Sequence, residues 1–314
     1  MINLEKIVRL FNSITNLSIL RANKIAHGRV IEKLDDLNFT LMSINESPLQ
    51  SLSLYMIDDK EFSNFMAGEA NRFFLASMVS LDRSKSNEFE NIAWQVVEHY
   101  YSAYYAVHYL MRVAGFSITN INKKSLDYII KNNLTGSNAS NLKCGLHLME
   151  YDTNCTTINL RKKDKSGGSH IDAWELWSKI IKTLILKTES DIREYADSSV
   201  LLIEHHDFIL RKNNTFSPTI IRNEINYQFV NDAWCFNGLT KIKSQKIKQI
   251  ISNDSMHFTE KSKDPVVNLI YNNNFIISLA KIIFENAYKN YSKCIGRSLH
   301  NKYKYRIKSL QCKE

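Results

Sequence analysis

The clearest hydrophobic pattern of the chain lies between Ala93 and Gly115, a stretch with no proline and no internal glycine. Apolar residues recur there at the helical period of about 3.6, on one face at Ala93, Val97, Tyr101, Tyr104 and Val107. A second apolar set covers other faces, and a helix that is apolar on most sides is usually buried centrally. Five tyrosines bring hydroxyls into that interior, where they need hydrogen-bond partners. We therefore expect this helix to organise the core and to border a polar site.

Weaker patterns of the same period predict helices along most of the remaining chain. They cover residues 4–14, 17–41, 60–81, 125–132, 172–195, 200–210, 220–229, 241–251 and 265–308. The segments between them, including 46–59, 134–141 and 151–169, are interpreted as irregular. We find no convincing period-two alternation, and nine glycines with three prolines are few for a fold rich in tight turns. The sequence therefore predicts an all-α fold with an N-terminal helical region (1–85), a central bundle (86–236) and a C-terminal basic helical region (237–314).

The composition is that of a folded protein with a basic surface, with 44% hydrophobic residues, 23% charged residues and a formal net charge of +9. This charge favours an acidic partner, nucleic acid first and an acidic protein second, although a merely basic soluble protein has the same balance. The five cysteines are odd in number and none has C-x-x-C spacing, so we expect free thiols and neither a metal nor another cofactor. No signal peptide and no uncharged apolar run of about 18 residues is found, which predicts a cytoplasmic protein without a membrane span.

The first group of residues with chemical potential is Arg222, Asn226 and Tyr227. On a helix Arg222 and Asn226 lie one turn apart and share a face, while Tyr227 lies about 100° further round. A guanidinium beside an amide is a fair phosphate-binding pair. The alternative is a structural network, in which Arg222 pairs with a carboxylate such as Glu98 and Tyr227 packs in the core.

The phrase EHYYSAYYAVHYLMRVAG, followed much later by RNEINY, resembles the HEPN superfamily. Its closest resemblance is to the branch with a YYA phrase in the first helix and R-x-x-x-D/N-Y in a later one. Here the first phrase is Tyr104-Tyr105-Ala106, and the second is formed by Arg222, Asn226 and Tyr227. The resemblance covers roughly residues 88–236, with residues 134–170 as an insertion. It implies a HEPN-like helical bundle between N- and C-terminal helical extensions.

Many HEPN proteins carry Arg followed by His after four to six residues and act as metal-independent ribonucleases in toxin–antitoxin, CRISPR and phage-defence systems. This chain has Tyr227 where an Arg-x4-His motif would place its histidine. Metal-independent RNA cleavage needs a base, an acid and a cation that supports the phosphorane charge. Arg222 supplies the cation, but a free tyrosine with a pKa of about 10 is a poor base. A binding or assembly role is therefore as well supported as cleavage.

A second phrase, around Arg21 and His27, also resembles the HEPN catalytic phrase. Six residues on a helix place the two side chains about 120° from alignment, and the phrase precedes the tyrosine-rich helix instead of following it. A duplicated or rearranged HEPN unit would explain this second site, and so would chance. His27 is the histidine that we would test first for proton transfer, because an ordinary imidazole titrates near neutral pH.

The third group is basic and lies near the C-terminus. Lys289, Lys293 and Arg297 recur every four residues and are predicted to share a helical face. Further along, lysines alternate with tyrosines, at Lys302, Tyr303, Lys304 and Tyr305. The pattern fits a surface that tracks a phosphate backbone, and it fits equally a solvated face with a frayed end.

These features predict a HEPN-like RNA-targeting effector of bacterial defence, either a metal-independent endoribonuclease or a degenerate RNA-binding relative. The resemblance implies RNA as a partner, a homodimer through the bundle, and a partner protein such as an antitoxin. The alternative is a non-catalytic, basic, helical subunit that binds nucleic acid or another protein in a larger complex.

Overall fold

The computed structural model describes residues 4–28, 30–31, 37–45, 50–85, 92–132, 142–152, 154–163, 168–210, 216–253 and 262–311. Within them the helices accompany a five-stranded antiparallel sheet, so the prediction of an all-α fold is wrong and the class is mixed α/β. The predicted purely helical bundle over residues 86–236 is wrong as well, because three of the strands lie between residues 116 and 162, and the other two lie in the predicted helical region 1–85. The helices are α1 (Leu4–Asn12), α2 (Leu17–Arg21), α3 (Asp59–Ser84), α4 (Ile92–Val113), α5 (Lys123–Lys131), α6 (Ser169–Thr188), α7 (Ile192–Ile209), α8 (Ser217–Asn223), α9 (Lys241–Ser252), α10 (Pro265–Asn290) and α11 (Ile295–Tyr303). The strands are β1 (Phe39–Asn45), β2 (Ser51–Met56), β3 (Phe116–Ile121), β4 (Gly145–Asp152) and β5 (Thr157–Lys162).

The sheet has the order β1-β2-β5-β4-β3, and every neighbouring pair is antiparallel. Its apolar face is built by alternation, since Leu52, Leu54 and Met56 of β2 are buried and the residues between them are not. Leu160 of β5 lies opposite Leu52 on one side and Met149 of β4 on the other. A six-residue alternation is a weak signal in the sequence, and β2 pairs both with the preceding strand β1 and with β5, about a hundred residues away.

Several predicted elements are wrong because their residues belong to the sheet or because the helix ends earlier. The predicted helix 17–41 ends at Arg21, and the same stretch enters β1 at Phe39. The irregular segments 46–59 and 151–169 contain β2 and β5. The predicted loop 134–141 lies outside the described residues. The last helix stops at Asn290 because Tyr291 takes an extended conformation, and α11 begins only after Cys294.

The tyrosine-rich helix α4 is the centre of the molecule, as predicted. It packs along α3 and against α6 and α10, and Tyr100 and Tyr109 are fully buried. One hydrophobic core surrounds α4 and draws on α1, the second half of α3 and α6 to α10. A second core lies between the sheet, the first half of α3 and α5, so α3 belongs to both. The division of the chain at residues 85 and 236 stays a prediction.

Helix α10 is, within the described residues, the helix that is long and apolar enough to cross a membrane, but 72% of its most apolar stretch is buried inside the fold. Its middle carries three consecutive buried asparagines, Asn272 to Asn274. Oδ1 of Asn272 lies 2.8 Å from Nδ1 of His205 on α7, and Oδ1 of Asn274 lies 2.9 Å from Nε2 of His99 on α4. These polar contacts tie α10 to its neighbours in one register, which is the arrangement of a core helix.

Candidate functional site

Arg222 lies at the end of α8, which starts at Ser217 and has Pro218 in its first turn. After Asn223 the chain continues as a π-helical turn over Glu224–Gln228. Such turns are rare in proteins overall, and those that do occur often lie at functional sites. They also change which residues share a face, because the hydrogen bonds run from i to i+5 instead of i to i+4. Arg222 itself is only 7% exposed.

The guanidinium of Arg222 is held by neutral partners. Its Nη2 atom donates to the hydroxyl of Tyr101 at 3.0 Å and to Nε2 of His170 at 3.1 Å. Its Nη1 atom donates to Oδ1 of Asn223 at 2.6 Å. The Nε–H of Arg222 is buried and has no hydrogen-bond partner in the described part of the chain. This donor of the guanidinium is thus unsatisfied in the described structure.

The charge of Arg222 is likewise not balanced by a neighbouring acid. Among the residues that the structure describes, no carboxylate oxygen lies within ion-pair distance of this guanidinium. Glu98, the expected partner in the structural alternative, instead forms an ion pair with Arg83 at 2.8 Å. That alternative is therefore wrong for Glu98. A nearly buried cation without a counter-charge favours the binding of an anion.

His170 stands in the first turn of α6 and points its ring at Arg222. Since Nε2 accepts the hydrogen bond from Arg222, the ring hydrogen lies on Nδ1, which donates to the hydroxyl oxygen of Tyr100 at 2.9 Å. Burial, and then the charge of Arg222, lower the pKa of His170 to about 4. At neutral pH this imidazole is uncharged and directs a lone pair at the guanidinium. Sequence reasoning missed His170, because no spacing rule connects the start of α6 with the end of α8.

The tyrosines of α4 pack against His170 and Arg222. The hydroxyl of Tyr100 also accepts a hydrogen bond from Nε1 of Trp174 at 3.1 Å, and burial raises the pKa of Tyr100 to about 12. The ring of Tyr104 packs against the ring of His170, with centroids 4.3 Å apart. Helix α4 thus borders a polar site, which is what its pattern of buried tyrosines predicts.

Tyr227 and Asn226, the other members of the predicted motif, lie in the π-helical turn. The ring of Tyr227 lies 5.8 Å from Cζ of Arg222 and is 66% exposed, so it covers the guanidinium from the solvent side. Asn226 is half-buried, and Asn223 is the residue that supplies the amide oxygen to Arg222. We call Arg222, His170, Tyr100, Tyr101 and Tyr227 the Arg222 site.

Arg21 and His27 do not share a helix, since α2 ends at Arg21 and His27 follows in an irregular segment. This segment passes close to α3, where a Cβ on Gly68 would lie 2.3 Å from the carbonyl oxygen of Ala26. The His27 side chain is exposed, and the guanidinium of Arg21 lies 5.1 Å from the ring centroid of Tyr291. Neither residue takes part in the contacts of the Arg222 site.

The basic residues near the C-terminus are distributed over a break in the helix. Lys289 lies in the last turn of α10 and pairs with Glu285 at 3.2 Å, whereas Arg297 lies on α11. The face predicted from their spacing is therefore interrupted between residues 290 and 295. All five candidate residues are exposed or half-exposed, namely Lys289, Lys293, Arg297, Lys302 and Lys304.

No protein-family model, curated protein or solved structure matches the chain. The HEPN resemblance accordingly stays a prediction that depends on the short phrases in α4 and after α8.

Proposed function

We propose that this protein is an RNA-targeting effector that binds an RNA phosphate at Arg222 and cleaves the neighbouring phosphodiester without a metal ion. One observation carries the proposal: a nearly buried guanidinium has no carboxylate partner in the described structure, keeps one N–H unused and touches a neutral imidazole. This pair supplies two of the groups that RNA cleavage needs, a cation and a base. The HEPN resemblance supports the same reaction.

In the proposed reaction a phosphate accepts hydrogen bonds from Arg222 and competes with His170 for Nη2. Nε2 of His170 is then free to take the proton of a ribose 2′-hydroxyl. The 2′-oxygen attacks phosphorus, the bond from phosphorus to the 5′-oxygen breaks, and the leaving oxygen takes a proton from water. Arg222 stabilises the additional negative charge of the phosphorane, and Tyr227 and Asn226 flank the position of the scissile group. The products carry a 2′,3′-cyclic phosphate and a 5′-hydroxyl.

Binding of the phosphate also changes the pKa of His170, the proposed base. The charge of Arg222 is one of the two causes that hold the pKa of His170 low, and an anion on Arg222 offsets that charge. The pKa of His170 should therefore rise when the substrate is bound, by the part that the charge of Arg222 contributes, while burial, the larger cause, continues to hold it below its ordinary value. The setting that we propose is the bacterial cytoplasm, with two copies paired through the bundle as in HEPN relatives.

A second candidate function is that of a non-catalytic subunit that binds nucleic acid or a partner protein. The observation that favours it is Tyr227, which stands at the usual histidine position and covers Arg222 instead of donating or accepting a proton. In this case Arg222 would bind a phosphate or carboxylate without chemistry. The two functions differ in one measurable respect, the integrity of the RNA.

The test is to incubate the purified chain with end-labelled RNA in the presence of EDTA and to analyse the products by electrophoresis and by their end groups. We expect the wild type to cleave and R222A to lose at least about a hundredfold in rate, because the charge of the phosphorane loses its support. R222K keeps the positive charge but lacks the planar set of guanidinium donors, so its rate should lie between those of R222A and the wild type. Arg9→Ala is the matched control, because Arg9 is an exposed arginine whose ion pair with Glu194 spans 3.6 Å.

Two results would contradict the proposed cleavage. One is that R222A and R9A cleave at the rate of the wild type, which would assign the activity to another site or a contaminant. The other is that the wild type leaves RNA intact but binds it in an Arg222-dependent manner, which would select the non-catalytic function.

A further inference from the structure

Four aromatic side chains cluster just beyond the π-helical turn, and we call Trp94, Phe229, Trp234 and Phe236 the aromatic platform. Phe236 stacks on Trp234 with ring centroids 5.3 Å apart, and Phe229 lies 5.4 Å from Trp234. Trp94, on α4, meets the edge of Trp234 at 5.7 Å. Phe236 is 68% exposed, Trp94 46% and Phe229 45%. Contiguous exposed rings of this size indicate a binding surface.

Hydrogen bonds and an unusual backbone conformation hold the segment of the aromatic platform in place. Phe229 has a φ of 55°, a left-handed conformation that is unusual for a bulky residue and clusters at functional sites. The side chain of Asn237 donates to the carbonyl oxygen of Phe229, which fixes this turn. Nε1 of Trp234 donates to the carbonyl oxygen of Ile225 at 2.6 Å. Because Ile225 belongs to the π-helical turn, the platform is anchored to the element that carries Tyr227.

The charges beside the platform favour a polyanion. Nζ of Lys243 lies 2.7 Å from the carbonyl oxygen of Asn231, so the first turn of α9 adjoins the platform segment. Lys243 itself pairs with Asp264. Lys241 and Lys246 of the same helix are exposed, and they have no ion pair within the described residues. Exposed rings on a segment that contacts a lysine-rich helix are a combination that suits single-stranded nucleic acid, because its bases stack on the rings and its phosphates attract the cations.

We infer that the aromatic platform stacks the bases of single-stranded RNA and thereby leads its backbone to Arg222. The inference rests on the proposed function and names the form of RNA that the Arg222 site takes. A duplex is excluded as the preferred substrate, because its base faces are already stacked on one another and cannot lie on Phe236 or Trp94.

The test measures fluorescence anisotropy of a labelled 2′-O-methylated 12-nucleotide RNA, which has no free 2′-hydroxyl and stays intact. We expect F236A and W94A each to weaken binding about tenfold, since stacking on one aromatic ring contributes this much per base. Tyr55→Ala is the matched control, because Tyr55 is an exposed aromatic residue, 42% accessible, on strand β2 of the sheet. F236A should leave the dependence of affinity on salt unchanged, whereas K241A should reduce its slope by about 0.7. The duplex of the same oligonucleotide should bind more weakly than the single strand.

The inference is overturned if F236A and W94A bind the single strand as tightly as Y55A does, or if the duplex binds equally well. A change in oligomeric state by light scattering, with RNA affinity unaltered in F236A, would assign the platform to a second copy of the chain and would likewise overturn it. The proposed cleavage fails separately, if unmodified RNA stays intact while platform-dependent binding persists. Conversely, if F236A cleaves RNA with an unchanged KM, the proposed cleavage at Arg222 stands, but the aromatic platform does not bind the substrate.

Discussion

Nη2 of Arg222 donates a hydrogen bond to Nε2 of His170 across 3.1 Å, although 52 residues separate the two along the chain. The bond settles which imidazole nitrogen carries the hydrogen, and it pairs a permanent cation with a neutral base. Neither group by itself would be informative, since single arginines and histidines are common. Their contact, without a carboxylate in the described surroundings, is the observation on which the proposed chemistry on a phosphate depends.

The role of His170 as the base predicts a distinctive pH profile of RNA cleavage. Because the pKa of His170 is lowered to about 4 in the free protein, kcat/KM should keep its neutral value down to about pH 5. An ordinary histidine base would already have lost most of its activity there, since its pKa is about 6.5. His170→Ala should lower kcat by about a hundredfold or more. The measurement is kcat/KM for cleavage between about pH 4.5 and about pH 8.

His27→Ala is the matched comparison for that experiment, since His27 is exposed and is the histidine that the sequence favours. We expect H27A to cleave like the wild type. A loss of activity in H27A but not in H170A would reject His170 as the base and restore the second HEPN-like phrase as the active site.

The buried His205 predicts how stability changes with pH. Nε1 of Trp177 donates to its Nε2 atom at 3.0 Å, and burial lowers the pKa of His205 to about 3. The unfolded chain binds this proton near pH 6.5, so the stabilisation is complete above that pH and is lost as the pH falls toward about 3. The free energy of unfolding should therefore decrease below neutrality, with His205 contributing about 1 kcal/mol per pH unit.

The measurement is urea unfolding of wild type and His205→Gln between about pH 7 and 4.5, compared by slope and not by absolute stability. H205Q should have the shallower dependence on pH, because it has no imidazole to protonate on unfolding. His27→Gln, at an exposed position, should retain the wild-type slope. Equal slopes for all three proteins would show that His205 is not kept neutral by the fold.

Two arginine–glutamate pairs that both bridge α3 and α4 provide a test of burial. Nε of Arg112 lies 3.2 Å from Oε2 of Glu69, with side chains only 3% and 9% exposed, whereas the pair of Arg83 and Glu98 has exposures of 70% and 23%. Glu69→Gln leaves the Arg112 charge buried without its partner and should cost about 3–5 kcal/mol of unfolding free energy. Arg83→Gln should cost at most about 1 kcal/mol, since an exposed pair contributes little.

Both values come from the midpoints of urea unfolding at neutral pH. If E69Q does not fold, the double variant E69L/R112M should, because it removes both charges from the interior. Equal, small losses in E69Q and R83Q would mean that Arg112 reaches water after the substitution, and that the pair does not stabilise the α3–α4 contact.

The local pattern of the sequence was sufficient for the long helices. The 3.6-residue period predicts α4 from Ala93 onward and α10 from Pro265 onward. These features depend on residues within a few positions of one another. The same local information was insufficient for the sheet, because β2 is flanked by β1 on one side and by β5, about a hundred residues away, on the other.

The Arg222 site, too, has features that follow from the local sequence and features that depend on the tertiary structure. The sequence by itself determined that Arg222 and Tyr227 follow a helix start and that tyrosines on α4 need polar partners. Only the tertiary structure decided that His170 meets Arg222, that Asn223 replaces Asn226, and that Glu98 is engaged elsewhere. The physical reason is that a side-chain contact depends on how α4, α6 and α8 pack. Packing is set by the whole core, whereas spacing along the chain reports only on neighbours within one helix.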